Sequence, residues 1–166
     1  NYYAILDSII SLSKKNQDVF FIFKSKKNFS HYRDRGYTRI IELIECIRSR
    51  PNCMYVNDLN INSFAAIIIS DLVISSPMSS IFSESICAGV KAISYDPKKQ
   101  FKNINTWTLK FEKIRAFDYN ELEGLIKHWL SDNVDDEFKQ ISKEVLCHLD
   151  NKCDHSAIER FKSLLD

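Results

Sequence analysis

Apolar residues in this chain follow two rhythms. Short continuous runs at residues 18–23 (Asp-Val-Phe-Phe-Ile-Phe), Cys53–Val56, Leu72–Ser75 and 92–95 read as strands buried on both faces. Between them the spacing is helical. Tyr2, Leu6, Ile9 and Ile10 form one stripe over residues 2–15, and Ile40, Ile41, Ile44 and Ile47 form another over 38–50, where Pro51 stops the helix. Residues 61–70 are apolar nearly all round (Phe64, Ala65, Ala66, Ile67, Ile68, Ile69), which predicts a deeply packed helix. A polar turn broken by Pro77 leads into a helix over 79–89, ended by Gly89. Further helices are expected over 120–130, 134–149 and 156–165, with a short extra strand over 107–111. Residues 31–36 read as a polar turn.

Strands alternating with amphipathic segments predict an α/β domain: a parallel sheet of four or five strands, helices on both faces, and additional carboxyl-terminal helices along one side. The expected core contains Phe21, Ile22, Ile44, Tyr55, Phe64, Ile68, Val73, Ile74, Ile86 and Ile93.

Composition narrows the class. At 166 residues the chain is one domain, or half of a two-lobed protein, and can bury a full core. A net charge of +1 argues against a general nucleic-acid binder. Five cysteines, an odd number scattered through helix and strand patterns, suit reduced thiols better than a disulfide framework. Cys147, His148, Cys153 and His155 are metal-ligand residue types at a spacing that matches no standard zinc pattern, so no metal is expected. With no long apolar run and no signal-peptide pattern, the reading is a cytoplasmic protein. The opening on Asn1, almost directly into a helix, raises the expectation of a preceding segment.

Candidate chemistry follows from topology. Ligands of open parallel sheets bind beyond the carboxyl ends of the strands. The loops after Phe23, Val56, Ser75 and Tyr95 would therefore bring Lys24, Lys26, Asn57, Ser79, Ser80, Glu84 and Asp96 towards one edge. The helix start after the Ser-Pro-Met-Ser-Ser turn offers free N–H groups to an anion, and Ser80, Ser83, Glu84 and Cys87 form a polar stripe along that helix. Taken singly, each residue has an ordinary explanation as a solvated lysine, a helix cap or a surface polar group. His31, Arg33 and Arg35 are read as solvated loop side chains that could reach a ligand.

The order of parts resembles the carboxyl-terminal, nucleotide-sugar donor-binding half of GT-B glycosyltransferases of bacterial capsule and lipopolysaccharide synthesis. The residues that carry the resemblance are the lysine-bearing loop after a core strand, Asp71-Leu72-Val73-Ile74-Ser75, Ser79-Ser80, Glu84, Gly89 and Tyr95-Asp96. It implies a Rossmann-like donor domain in which Ser79 and Ser80 hold the donor phosphate and Glu84 binds the ribose hydroxyls; convergence at the sheet edge adds Lys24 and Lys26 to the phosphate and offers Asn57 and Asp96 as base or sugar contacts. Lys24 falls where several relatives place a basic or His-Pro element, and no His-Pro occurs here. The resemblance also implies a nucleotide-sugar donor as ligand, no cofactor, and an amino-terminal acceptor-binding lobe. That lobe would supply the catalytic base, and any peripheral membrane association would come through it. The alternative is a non-catalytic nucleotide- or protein-binding α/β module, or a lobe like those of nucleotide-sugar epimerases or glycerophosphotransferases. A phosphoacceptor receiver lacks its early acidic pair here, and a serine hydrolase its Gly-x-Ser-x-Gly elbow.

Overall fold

A computed structural model describes residues 2–58, 60–77, 79–102 and 111–149. Helix α1 (Tyr2–Lys15) precedes β1 (Phe21–Lys24), α2 (Phe29–Asp34), α3 (Thr38–Arg48) and β2 (Cys53–Val56). Then come α4 (Ser63–Ile68), β3 (Leu72–Ser75), α5 (Ser80–Cys87) and β4 (Lys91–Tyr95). After a 3-10 turn at Glu112–Ile114 follow β5 (Arg115–Ala116), α6 (Tyr119–Trp129) and α7 (Asp135–Leu149). The architecture is Rossmann-like α/β with parallel strands flanked by helices.

All pairings are parallel, but the ladder is interrupted. β1 pairs with β2, β3 with β4 and β4 with β5, whereas β1 and β3 exchange no ladder bonds among the described residues. The expected single sheet is thus two hydrogen-bonded pieces joined by side chains, with Phe21 packed in the same cluster as Leu72, Val73 and Ile74. α3 packs on β2, and α5 packs on β3 and β4. α1 lies with α3, burying Leu6 and Ile10 against Ile40, Leu43, Ile44 and Ile47. α5 lies with α4 and α7.

Several expectations move. β1 starts at Phe21, not residue 18, because the Asn52 amide donates to the carbonyls of Ser13, Asn16 and Val19 (3.1, 3.1 and 3.0 Å). That holds the connection as a turn, and the Phe21 N–H bonds to the Asn52 carbonyl at 2.8 Å. Residues 29–34 form a helix where a polar turn was expected. Asn28 caps it by accepting from the His31 N–H at 3.0 Å, and Tyr32 anchors it in the core.

The largest correction concerns the helix predicted to be deeply packed. In α4 only Ile67 is buried, while Phe64 is 49%, Ile68 57% and the following Ile69 69% exposed. A six-residue helix offers one side to its neighbours, here β1 and α5, and uniform apolarity does not choose that side. Of the expected core, Ile44, Ile86 and Ile93 are fully buried, and Phe21, Ile22, Tyr55, Val73 and Ile74 are half-buried. β5 was not anticipated: two residues are too few for any periodic signal. The helix expected over 156–165, and the strand over 107–111 apart from Phe111, lie outside the described residues.

Candidate functional site

Two hydrogen bonds to α1 show that the strand ends share an edge. At the end of β1, the Ser25 hydroxyl lies 3.3 Å from the Tyr2 phenol, and at the end of β4, the Tyr95 phenol lies 2.8 Å from the Ser8 hydroxyl. Both contacts fall on the amino-terminal half of α1, while its carboxyl end faces Asn52 at the strand starts.

At this edge the chain turns from β3 into α5. Ser79 is the N-cap: its extended backbone (φ −87°, ψ 135°) lets Oγ accept from the Ile81 N–H at 3.3 Å. The Phe82 N–H goes to the Ser79 carbonyl at 3.2 Å. The N–H of Ser80, the first helical residue, has no carbonyl to reach within the helix. Ser80 is exposed, and Glu84 stands half-buried one turn further along. The end of α5 is set by Gly89 at φ 76°, a left-handed conformation that glycine adopts without a Cβ penalty.

Asp96 lies just beyond β4 and is only 2% exposed. Its N–H donates to the Ala116 carbonyl (2.8 Å), its carbonyl accepts from the Lys99 N–H (2.9 Å), and Oδ2 accepts from the Phe101 N–H (2.8 Å). The carboxylate therefore closes the 96–101 turn with one oxygen, while Oδ1 is buried without a hydrogen-bond partner among the described residues.

The other candidates fall on the β1–β2 side. Lys24 is half-buried with Nζ donating to the Ser25 carbonyl at 3.2 Å, and Lys26 is exposed. Asn57 has a bracing task, its Oδ1 accepting from the Phe29 N–H at 2.7 Å and tying the loop after β2 to the start of α2. Among the described residues, no hydrogen bond or ion pair joins any of these seven side chains to another; they share an edge rather than form one network.

Sequence pattern missed the phenol cluster at the same edge. The Ser25 hydroxyl meets Tyr32 Oη at 2.8 Å, and Tyr32 Oη lies 3.3 Å from Tyr2 Oη. Burial pushes the Tyr2 phenol well above its ordinary range, and burial raises Tyr55 and Tyr95 too. These phenols stay protonated as hydrogen-bonding groups. Aromatic residues at a helix start and in a supposed loop gave no hint of it.

A groove of about 820 Å³ runs between the carboxyl-terminal end of α5 and α7, lined by Cys87, Lys91, Asp135, Phe138 and Ser142 among others. It lies at the opposite end of α5 from Ser79. There Lys91 Nζ sits 2.9 Å from Asp135 Oδ1 and holds that carboxyl below the usual range. Among the described residues no cluster of His, Cys, Asp and Glu could hold a metal ion, and no helix is long and apolar enough to cross a membrane. Cys153 and His155 lie outside the described residues.

No curated protein and no solved structure matches the chain. One family model does, over residues 2–126, described as polysaccharide biosynthesis PFTS motif protein. Of the chain's three prolines, only Pro77 opens a comparable tetrapeptide, Pro77-Met78-Ser79-Ser80. It keeps the first and last letters of that motif and replaces Phe with Met and Thr with Ser. Met78 itself lies outside the described residues. With most of the chain inside this match, the protein belongs to the polysaccharide biosynthesis PFTS motif family, and its role lies in polysaccharide synthesis.

Proposed function

We propose that this chain is the nucleotide-sugar-binding lobe of a glycosyltransferase that builds a bacterial surface polysaccharide in the cytoplasm. The observation that carries the reading is the start of α5: a serine-capped helix N-terminus at the carboxyl edge of a parallel strand, in a protein of polysaccharide synthesis. Glycosyl transfer releases a nucleoside phosphate, and negative charge grows on its oxygens as the bond to the sugar breaks. The Ser80 N–H, the Ser79 and Ser80 hydroxyls and the positive end of α5 are suited to that charge. Lys24 and Lys26 add mobile cations on the same edge, and Glu84 takes the ribose hydroxyls. The base that deprotonates the acceptor is assigned to an amino-terminal lobe, so this chain binds donor and is incomplete as a catalyst.

Isothermal titration with UDP, GDP, CMP and their sugar conjugates tests the reading. One nucleotide class should bind, Ser80→Ala and Glu84→Ala should each weaken it about tenfold without loss of fold, and Lys24→Ala should weaken it more at low salt than at high salt. Absence of binding by every member would point instead to a non-catalytic module of the same fold.

A further inference from the structure

At the carboxyl ends of β3 and β4, two buried polar atoms have no hydrogen-bond partner among the described residues: Ser75 Oγ, at the end of β3, and Asp96 Oδ1, just past β4. Their residues are 9% and 2% exposed. Register places Ser75 opposite Ser94, and the alternation of a strand puts Ser94 and Asp96 on one face and Tyr95 on the other. Tyr95 reaches Ser8 of α1, so Ser75, Ser94 and Asp96 face the opposite side, the side on which α5 packs over β3 and β4. Ser75 and Asp96 therefore share the face of β3 and β4 over which α5 packs.

We infer that Ser75 and Asp96 form a subsite for a hydroxyl-bearing group of the donor, next to the phosphate position. This rests on the donor-binding reading above. A buried carboxylate oxygen without a donor is costly, and the cost is relieved by a group that brings O–H donors. It cannot be the phosphate, which carries the same sign of charge. Ser75, able both to donate and to accept, complements a hydroxyl shared with Asp96. Oδ2 is already committed to the Phe101 N–H, which fixes the carboxylate before ligand arrives. Such fixing lowers the ordering cost of binding.

Asp96→Asn is the decisive variant, because the amide oxygen can keep the Phe101 bond while the amide nitrogen replaces the acceptor at Oδ1. Binding of UDP, 2′-deoxy-UDP and UDP-glucose, and of the corresponding GDP and CMP sets, is measured with the melting temperature of the free protein. We expect sugar-nucleotide affinity to fall about tenfold or more in Asp96→Asn, and less in Ser75→Ala, with plain nucleotides changed by no more than about twofold. The free Asp96→Asn protein should melt no lower than the parent, since a buried charge has been removed. A loss seen equally with plain nucleotides and abolished in the 2′-deoxy series assigns the hydroxyls to ribose instead of hexose and still supports the subsite. Unchanged binding of all ligands overturns it. So does a lowered melting temperature, which makes Asp96 a fold residue. If the parent protein binds no nucleotide, the donor-binding reading fails by itself, and the melting temperature still decides whether Asp96 is uncompensated in the free chain.

Discussion

α4 and α5 are consecutive crossovers, built alike and packed differently. Both are short, both begin with a side-chain cap (Asn62 Oδ1 to the Ala65 N–H at 2.8 Å, Ser79 Oγ to the Ile81 N–H at 3.3 Å), and neither carries a charge in its first turn. α5 lies over the paired strands β3 and β4 with α7 against it, and buries Phe82, Ser85 and Ile86. α4 rests on β1 and α5, where the ladder between β1 and β3 is interrupted, and leaves Phe64, Ile68 and Ile69 exposed. A helix seated on a continuous ladder has a fixed position, and a site built at its end inherits that fixity. The turn proposed to face the donor phosphate leads into α5, the anchored one, and Ser75 and Asp96 end the strands over which it lies.

Truncation should separate the two helices most strongly. Ile86→Ala removes a fully buried side chain from α5, and Ile93→Ala does the same in β4, so each should cost about 2 to 5 kcal/mol in urea unfolding. Ile68→Ala in α4 should cost no more than about 0.5 kcal/mol. Equal losses at Ile86 and Ile68 would mean that α4 is covered in solution and that the contrast is wrong.

The helix periods, the parallel strands and the capped start of α5 were legible because each repeats a signal over several residues. Ile40, Ile44 and Ile47 could only form a stripe, and Leu72–Ser75 followed by a capped helix start could only form a strand-turn-helix unit. α4 was misread because Phe64, Ala65, Ala66, Ile67, Ile68 and Ile69 carry hydrophobicity without direction. Asp96 and Ser75 show the same limit at the site. Sequence placed Asp96 at the correct edge, but whether its second oxygen finds a donor depends on residues as distant as Ala116 and on which face Tyr95 leaves free. The bracing role of Asn57 was hidden because its partner is a backbone N–H on another element.

The opposite face of the sheet supplies a third, smaller test. There Glu123 of α6 is held between Lys127 of the same helix (2.8 Å) and Lys15 of α1 (2.7 Å), and the Lys15 pair ties the two helices together. Hydrogen bonding to Lys127, then Lys15, keeps the Glu123 carboxyl below its usual range. A depressed carboxyl contributes stability that is present above its unfolded pKa and lost as pH falls through the folded value. The parent should therefore lose stability below about pH 4.5 more steeply than Glu123→Gln, when both are followed by urea unfolding. Identical acid limbs would show that the tie contributes nothing. The effect should be modest, since both lysines are largely exposed.

The smallest expected change in stability returns to α4. Phe64→Ser and Ile69→Lys replace side chains that are 49% and 69% exposed, so each has far less burial to lose than Ile86. Ile69 is the C-cap residue of α4, where a cation is favoured by the carbonyl end of the helix, so lysine there should be neutral or slightly stabilising. Both variants should melt within about 0.5 kcal/mol of the parent, while solubility rises as an apolar patch is broken up. The urea m-value carries the sharper information, because it reports the surface exposed on unfolding. If α4 is open in the free chain, neither variant changes it. A fall in m, or a loss of stability comparable to that of Ile86→Ala, would show that these side chains are buried against something when the chain folds, and that α4 is as well seated as α5.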